Sequence, residues 1–264
     1  MTRLLGLLLA IVLVAGGCAS DTGTNAGDLA TVAKAIRAVE QKGAAFSYKV
    51  TVVSTGGSIP KGKEARIPLS GVGVARDDNA SFVLSELDQA GKPVGAFDLV
   101  INDVYLFVRP HAVARAWFVG AASGFNYFYP AVRLNLLRET VLLASKSSKA
   151  TTFSSGSFSN QYTITAAPDQ LQQLLSVSVG TDKQSAFLKS ASATIDAYLT
   201  TGGQLQRITV QAAGTDPVTS VRSVYNSSLT ISRVGEVSDP SVPTNAVSVQ
   251  PGDMFSTGAV PTGP

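Results

Sequence analysis

Residues 45–54 read AFSYKVTVVS, and their side chains alternate between apolar and polar types. Because successive side chains of an extended strand point to opposite faces, one face of this segment is entirely apolar and carries Phe46, Tyr48, Val50 and Val52. The other face carries Ser47, Lys49 and Thr51. The pattern predicts a strand that covers a hydrophobic core with one face only.

An amphipathic helix is predicted just before this strand. Asp28 is interpreted as its N-cap, and Gly43 follows its last turn near Lys42. Between them, apolar residues recur at spacings of three and four and form one stripe: Leu29, Val32, Ile36 and Val39.

More strands are predicted after residue 54. Gly71 lies inside one of them and is interpreted as a bulge. The segment 94–110 predicts a hairpin that turns at Asn102–Asp103, and both of its arms carry large apolar residues on both faces. This composition indicates a sheet that is covered on each side for part of its length. The strands of this half of the chain are predicted at 67–75, 80–87, 94–101 and 104–109.

The second half of the chain predicts two helices and a meander. Pro130 opens a Leu-rich helix, and Pro168 opens a shorter one. A hairpin turns at Gly202–Gly203, and Leu205 is out of phase with Ile208 and Val210, which predicts a bulge or a change of face. Further strands are predicted at 150–153, 161–166 and 219–234. The elements together predict one α+β domain over residues 28–250, with a disordered tail at 251–264.

The start of the chain reads as a secretory signal. Arg3 precedes an uncharged apolar run, residues 4–14, which is shorter than the roughly 20 residues of a membrane span. Small residues lead from this run to Cys18, the only cysteine. The segment resembles a bacterial lipoprotein signal over residues 1–17, with Ala15 where that signal usually has Leu. A plain signal peptide with an incidental cysteine is the alternative.

The lipoprotein interpretation sets the location of the protein. The thiol of Cys18 is acylated and anchors the chain to the outer side of the cell membrane, and residues 19–27 form a flexible tether. No thiol then remains for a disulfide, so packing alone stabilises the domain.

Composition and motifs argue against several functions. A net charge of +3 and 15% charged residues do not suit nucleic-acid binding. The serines lack a G-x-S-x-G context, and the scattered carboxylates have no spacing that suggests acid–base work. His111, the only histidine, is interpreted as a surface or loop residue. We therefore expect no enzyme, no metal site and no cofactor.

Several stretches resemble the LppX/LprG type of mycobacterial lipid-carrying lipoproteins. They are the lipid-attachment cysteine with its tether, the first helix and strand, INDVYLFVRPHAVARAWFV, KATTFSSGSFSNQYTIT, ATIDAYLTTGGQLQRITV and the ending DPSVPTNA. The resemblance implies a LolA-like half-barrel, a large curved antiparallel sheet with helices covering its concave face. It also implies an apolar cavity for a lipid or glycolipid that is carried or presented across the cell envelope, with an envelope transporter as a candidate partner.

The transport function has a physical basis. A lipid with two long chains has about 30 methylenes, and exposing each costs about 0.8 kcal/mol, so crossing water unshielded costs on the order of 25 kcal/mol. The residues expected to line a dry cavity are Phe82, Leu84, Tyr105, Phe107, Leu134, Leu137, Val141, Leu171 and Leu175. The same residues also suit a solid core, and the sequence does not separate the two interpretations.

Two further alternatives remain open. Arg109, Arg115 and Arg133 flank the aromatic segment 125–129 and suit either an anionic head group or a solvated rim. The fold also serves envelope sensors that bind a protein instead of a lipid, and fold alone does not fix function.

Overall fold

The computed structural model describes residues 26–88, 90–111, 116–121, 134–144, 146–150, 160–166, 191–215 and 219–249. Within these ranges it contains two helices, α1 (Ala26–Lys42) and α2 (Leu134–Leu143). The strands are β1 (Ala44–Gly56), β2 (Ala65–Arg76), β3 (Asn79–Leu87), β4 (Pro93–Asn102), β5 (Tyr105–Pro110), β6 (Trp117–Ala121), β7 (Lys146–Ala150), β8 (Asn160–Ala166), β9 (Ser192–Leu199), β10 (Leu205–Thr215), β11 (Val221–Ser232) and β12 (Ala246–Ser248).

The described strands form one sheet in the order β12-β6-β5-β4-β3-β2-β1-β11-β10-β9-β8-β7. Neighbouring strands are antiparallel, apart from the short β12, which runs parallel to β6. The predicted class, α+β with one large antiparallel sheet and helices packed against it, is confirmed.

Strand β1 lies near the middle of the sheet and divides its two surfaces. Its burial alternates as the sequence predicted, with Phe46, Tyr48 and Val50 buried and Ser47 and Lys49 exposed. We call the surface of the sheet that carries Phe46, Tyr48 and Val50 the inner face, and the opposite surface the outer face. The strand registers then assign each of the remaining residues of the sheet to the inner or the outer face.

Helix α1 ends where the sequence predicts. Gly43 has φ 71°, and its N–H donates to the Val39 carbonyl at 2.9 Å, which closes the last turn. The helix begins at Ala26, so Asp28 lies in its first turn and is not the N-cap. A carboxylate in that turn still interacts favourably with the positive end of the helix dipole.

The irregular positions in the strands were predicted with mixed success. The bulge near Leu205 is confirmed, because the β9–β10 register shifts between Leu205 and Arg207. Gly71 is not a bulge, since the β1–β2 register is unbroken around its pairing with Tyr48. The hairpin predicted around Gly202–Gly203 is confirmed. The hairpin predicted to turn at Asn102–Asp103 turns one residue later, at Asp103–Val104, because Asn102 still belongs to β4 and pairs with Tyr105.

The two helices pack on part of the inner face. α1 contacts α2 and strands β2, β7, β8 and β10, and α2 contacts β8. The strand predicted at 150–153 lies earlier, at Lys146–Ala150, and residues 151–153 lie outside the described ranges. Pro130, which was expected to open the Leu-rich helix, and the helix predicted after Pro168 also lie outside them.

Candidate functional site

The inner face of the sheet is a continuous apolar surface. Side chains alternate between the two faces along each strand, and the large aliphatic and aromatic ones point to this face. The apolar stripe of α1 packs against it. The strand residues that form it and are buried together in one cluster include Phe46, Leu69, Phe82, Leu84, Leu99, Ile101, Leu106, Val108, Ile164, Ile195, Ile208, Leu229 and Ile231.

Five of the predicted lining residues meet at this surface. Phe82 and Leu84 lie on the inner face of β3, with 3% and 2% of their surfaces exposed. Three residues of α2 belong to the same buried cluster: Leu134, Leu137 and Val141.

Two predicted lining residues lie on the opposite side of the sheet. Phe107 pairs with Val100, and this pair is on the outer face because Leu99 and Val108, the neighbouring pair, belong to the inner cluster. Tyr105 is on the same outer face and is 52% exposed. The structure therefore does not bring Tyr105 and Phe107 to the inner surface. Leu171, Leu175 and Cys18 lie outside the described residues.

The apolar inner face extends beyond the strands on which the helices mainly pack. α1 and α2 contact β2, β7, β8 and β10. The buried cluster continues past β2 onto β3, β4 and β5, where Leu99, Leu106 and Val108 are fully buried. These residues are buried although the main contacts of the two helices are with other strands.

Burial on the inner face decreases toward one end of the sheet. We call this the loop end, because the β1–β2 loop (residues 57–64) is there. At this end of the inner face Ser54 and Ser223 are half-buried and Glu86 is exposed. An open pocket of about 700 Å³ lies beside it, lined by residues 55–57 and 59–64. Among the described residues of β1, β3 and β11, burial is most complete toward the opposite end.

Two buried tyrosines, Tyr48 and Tyr225, place hydroxyl groups within the buried part of the inner face. The hydroxyl oxygens of Tyr48 and Tyr225 are 2.6 Å apart, and the two residues are 0% and 2% exposed. The Ser227 hydroxyl donates to the Val210 carbonyl at 3.5 Å. We did not predict this pair, because the alternation of β1 identifies Tyr48 as inward-facing but gives no partner for its hydroxyl.

An ion pair joins the two helices. The Arg138 Nε lies 2.9 Å from an oxygen of Glu40, whose side chain is 7% exposed. Burial raises the pKa of Glu40 above its usual value, while the nearby positive charge of Arg138 acts in the opposite direction. Because Glu40 is on α1 and Arg138 on α2, this contact links the two helices.

A polar cluster lies on the outer face of the β4–β5 hairpin. Asp98 accepts hydrogen bonds from Arg109 Nε and pairs with His111 Nε2, each at 2.8 Å, and Arg109 lies over the Trp117 ring. Burial acts to raise the pKa of Asp98, but the hydrogen bonds and charges of His111 and Arg109 outweigh it and lower the pKa. Arg109 is therefore partnered within the protein, and Arg115 and Arg133 lie outside the described ranges.

Two searches of the described residues were negative. They contain no group of three potential metal ligands among His, Cys, Asp and Glu. Within the same ranges, neither helix combines the length and the hydropathy that a membrane crossing requires.

No family model matches the chain, and no curated protein matches its sequence. Among solved structures it is similar to LprF from Mycobacterium bovis, with 11% identity and a TM-score of 0.43 over 83% of this chain and 98% of that one. LprF is a lipoprotein of the LppX/LprG type, the family suspected from the sequence.

Two other solved structures are similar. One is an uncharacterized conserved protein from Thermus thermophilus, with 10% identity and a TM-score of 0.34 over 84% of this chain and 98% of that one. The other is Rv2717c from M. tuberculosis, with 8% identity and a TM-score of 0.26 over 76% of this chain and 98% of that one. Likenesses at this level carry no argument about function, which has to come from the residues of this chain.

Proposed function

We propose that this protein is an extracytoplasmic lipoprotein that binds the acyl chains of a lipid or glycolipid and carries or presents them in the cell envelope. The observation that supports this is the extent of the buried apolar inner face, which continues onto β3, β4 and β5 beyond the main helix contacts. Favourable transfer from water scales with apolar area and needs no directed contacts. Such a wall suits alkyl chains.

The proposed lining follows from which face each residue occupies. The lining keeps five predicted residues that the structure places on the inner surface: Phe82, Leu84, Leu134, Leu137 and Val141. Two more, Leu171 and Leu175, stay as predictions from the sequence. Tyr105 and Phe107 are left out because of their outer position. Leu99, Leu106 and Val108 are added from the inner face of β4 and β5.

The anchor in this proposal is the acylated Cys18 on the extracytoplasmic side of the cell membrane. Attachment through two or more acyl chains is stable, whereas a single chain binds reversibly. The tether predicted at 19–27 is shortened to residues 19–25 because α1 begins at Ala26. It reaches at most about 25 Å when extended, so the domain stays close to the lipid that it would load. An envelope transporter remains a candidate partner for delivering or receiving that lipid.

Native mass spectrometry tests the proposal. The protein without its acyl anchor is exported behind a secretory leader whose cleavage needs no cysteine, and it is purified without detergent, so that any lipid adduct is a ligand and not the anchor. We expect a second mass that exceeds the protein mass by that of a lipid. A protein mass alone, even after incubation with membrane extract, would contradict lipid binding and favour the envelope sensor that binds a protein.

A matched pair of variants tests where the lipid binds. Val108 is 0% exposed on the inner face and Val100 is 4% exposed on the outer face, and both belong to the β4–β5 hairpin. Val→Thr keeps the side-chain shape and adds a hydroxyl to the wall. We expect Val108→Thr to reduce the lipid-bound fraction and Val100→Thr to leave it unchanged. Equal loss in both variants would place the ligand elsewhere.

A further inference from the structure

Charged residues are distributed unevenly between the two ends of the sheet. We compare the described residues of β1–β4, β11 and the turns beside them. At the loop end, basic side chains outnumber acidic ones: Lys61, Lys63, Arg66, Lys92 and Arg222 against Glu64, Glu86 and Asp88. At the opposite end, where α1 joins β1, the order is reversed: Asp77, Asp78, Asp103, Glu236 and Asp239 against Lys42, Arg76 and Arg233.

The basic side chains at the loop end are accessible to a partner. Lys61 and Lys63 are exposed and form no ion pair within the described part of the chain. At the opposite end, by contrast, Arg76 pairs with Asp239 at 2.8 Å. Of the acidic residues at the loop end, Asp88 accepts two backbone N–H groups of its own turn. The loop end therefore presents a positive surface.

The β1–β2 loop projects beyond the neighbouring strands. β2 pairs with β1 from its first residue but with β3 only from Leu69, so the hairpin extends about 13 Å past the β2–β3 ladder. Inside the loop, the Ile59 N–H donates to the Gly56 carbonyl at 3.0 Å, and the Lys63 N–H donates to the Pro60 carbonyl at 2.9 Å. These bonds give the projecting loop a defined shape.

The tip of this loop combines apolar and basic side chains. Ile59 is half-buried and Pro60 is exposed, and the two lysines follow directly in the chain. Val94, also at the loop end, is 63% exposed. At a bilayer surface, apolar side chains enter the boundary between headgroups and acyl chains, while lysines are attracted to anionic lipids. The composition of the tip suits both layers of such a surface.

We propose that the β1–β2 loop binds the surface of an anionic phospholipid bilayer. Ile59 and Pro60 enter the headgroup region, and Lys61 and Lys63 contact the lipid phosphates. A flexible tether keeps the domain near the membrane without orienting it, so the loop supplies the orientation. The purpose of this orientation rests on the function proposed above, because it turns the loop end of the inner face toward the membrane lipid. The bilayer contact itself requires no bound ligand.

Vesicle co-sedimentation tests the contact on the protein without its acyl anchor, prepared as for native mass spectrometry. We expect it to bind vesicles of phosphatidylcholine with phosphatidylglycerol about tenfold more tightly than vesicles of phosphatidylcholine alone. Lys61→Gln/Lys63→Gln should bind the mixed vesicles about tenfold more weakly than the parent. The control Lys34→Gln/Lys42→Gln, at two exposed lysines of α1, changes the net charge equally and should bind like the parent. Equal losses in the two double variants, or equal binding of the parent to both vesicle types, would overturn the inference.

A fluorescent label tests the orientation. Cys18 is the only cysteine, so Ser58→Cys or Ser238→Cys combined with Cys18→Ser leaves a single thiol for an environment-sensitive dye. Ser58 is exposed in the β1–β2 loop, and Ser238 is exposed at the opposite end beside Asp239. With the mixed vesicles we expect a blue shift of the emission at position 58 and none at position 238. An equal shift at both positions, or a shift at 238 alone, would overturn the proposed orientation.

This inference and the proposed function fail separately. A lipid adduct in native mass spectrometry without binding to the mixed vesicles would overturn the bilayer contact and leave lipid binding intact. Vesicle binding through the loop without any lipid adduct would support the contact and contradict lipid binding.

Discussion

Phe46 and Phe82 are on strands that do not pair with each other, yet their rings meet edge to face at 5.8 Å. Strand β2 runs between them, and its residue at this position is Gly73, which is opposite Phe46 on one side and Phe82 on the other. The missing side chain of Gly73 is what allows the two rings to approach over the strand. Contacts of this kind compensate for a glycine in a strand, which otherwise weakens the sheet.

Gly73→Ala should therefore destabilise the protein. A Cβ at this position would lie 2.2 Å from the Ser81 carbonyl oxygen and 2.3 Å from the Phe82 Cβ, distances that force the backbone to shift. We expect a loss of about 2–3 kcal/mol in the free energy of unfolding, measured by urea denaturation. Gly95→Ala, on the inner face of β4 with open space around it, is the control and should change stability little. Similar losses in both variants would refute the close packing over Gly73.

The two rings should also be energetically coupled. In a double-mutant cycle with Phe46→Leu and Phe82→Leu, we expect a coupling energy of about 0.5–1.5 kcal/mol, the usual worth of an edge-to-face aromatic pair beyond its buried area. Urea denaturation of the four proteins measures it. Additive losses would show that each ring packs independently against the core.

Local elements of the fold were predictable because single-residue signals define them. The alternation of β1, the glycine that ends α1 and the phase shift at Leu205 each report a backbone feature within a few residues. The turn of the β4–β5 hairpin lies one residue later than predicted, and a turn at Asn102–Asp103 would have paired Asp98 with Phe107. The observed pairing of Asp98 with Arg109 therefore did not follow from the predicted turn.

The face that each hairpin residue occupies was harder to predict. Val108 is 0% exposed on the inner face and Phe107 is 8% exposed on the outer face, so hydrophobicity did not distinguish them. The Tyr48–Tyr225 contact joins residues 177 positions apart. Only the order of strands in the sheet brings them together, and no short segment contains that information.

The Glu40–Arg138 pair predicts an unusual dependence of stability on pH. Burial raises the pKa of Glu40 in the folded protein above its usual 4.5. The folded state therefore binds the Glu40 proton more tightly than the unfolded state, and the contribution of Glu40 to stability falls as the pH rises from 4.5 through the folded pKa. We expect Glu40→Gln to lose less stability than the parent over this window, measured by urea midpoints. Parallel curves would contradict a raised pKa.

Removing the other partner tests the same pair at neutral pH. Arg138→Met leaves the buried Glu40 carboxylate without its cation, and we expect a loss of about 3 kcal/mol. Glu40→Leu/Arg138→Met, which removes both charges, should recover most of that loss in the same urea experiment. No recovery would mean that Arg138 stabilises through its packing.

For Asp98 we expect the opposite dependence of stability on pH. Burial alone would raise the pKa of Asp98, but His111 and Arg109 lower it below 3.8 in the folded protein. Asp98 therefore stabilises the fold above pH 3.8, and this contribution is lost as the pH falls through the folded pKa. We expect Asp98→Asn to be less stable than the parent at neutral pH by about 1 kcal/mol or less, since Arg109 and His111 are 42% and 47% exposed. The difference should disappear in acid. A gap that persists below the folded pKa would mean that the carboxylate charge is not responsible.

We expect Cys18 to be the site of lipid attachment. If its thiol carries the lipid, cells grown with labelled palmitate should label the parent protein and not Cys18→Ala, because alanine has no nucleophile to acylate. Cys18→Ala should also leave the membrane fraction once its leader is cleaved, since tight attachment requires the acyl chains. The mass of the mature N-terminus distinguishes a released protein from an uncleaved precursor. An unlabelled parent protein would favour the plain signal peptide with an incidental cysteine and remove the membrane anchor from the proposed function.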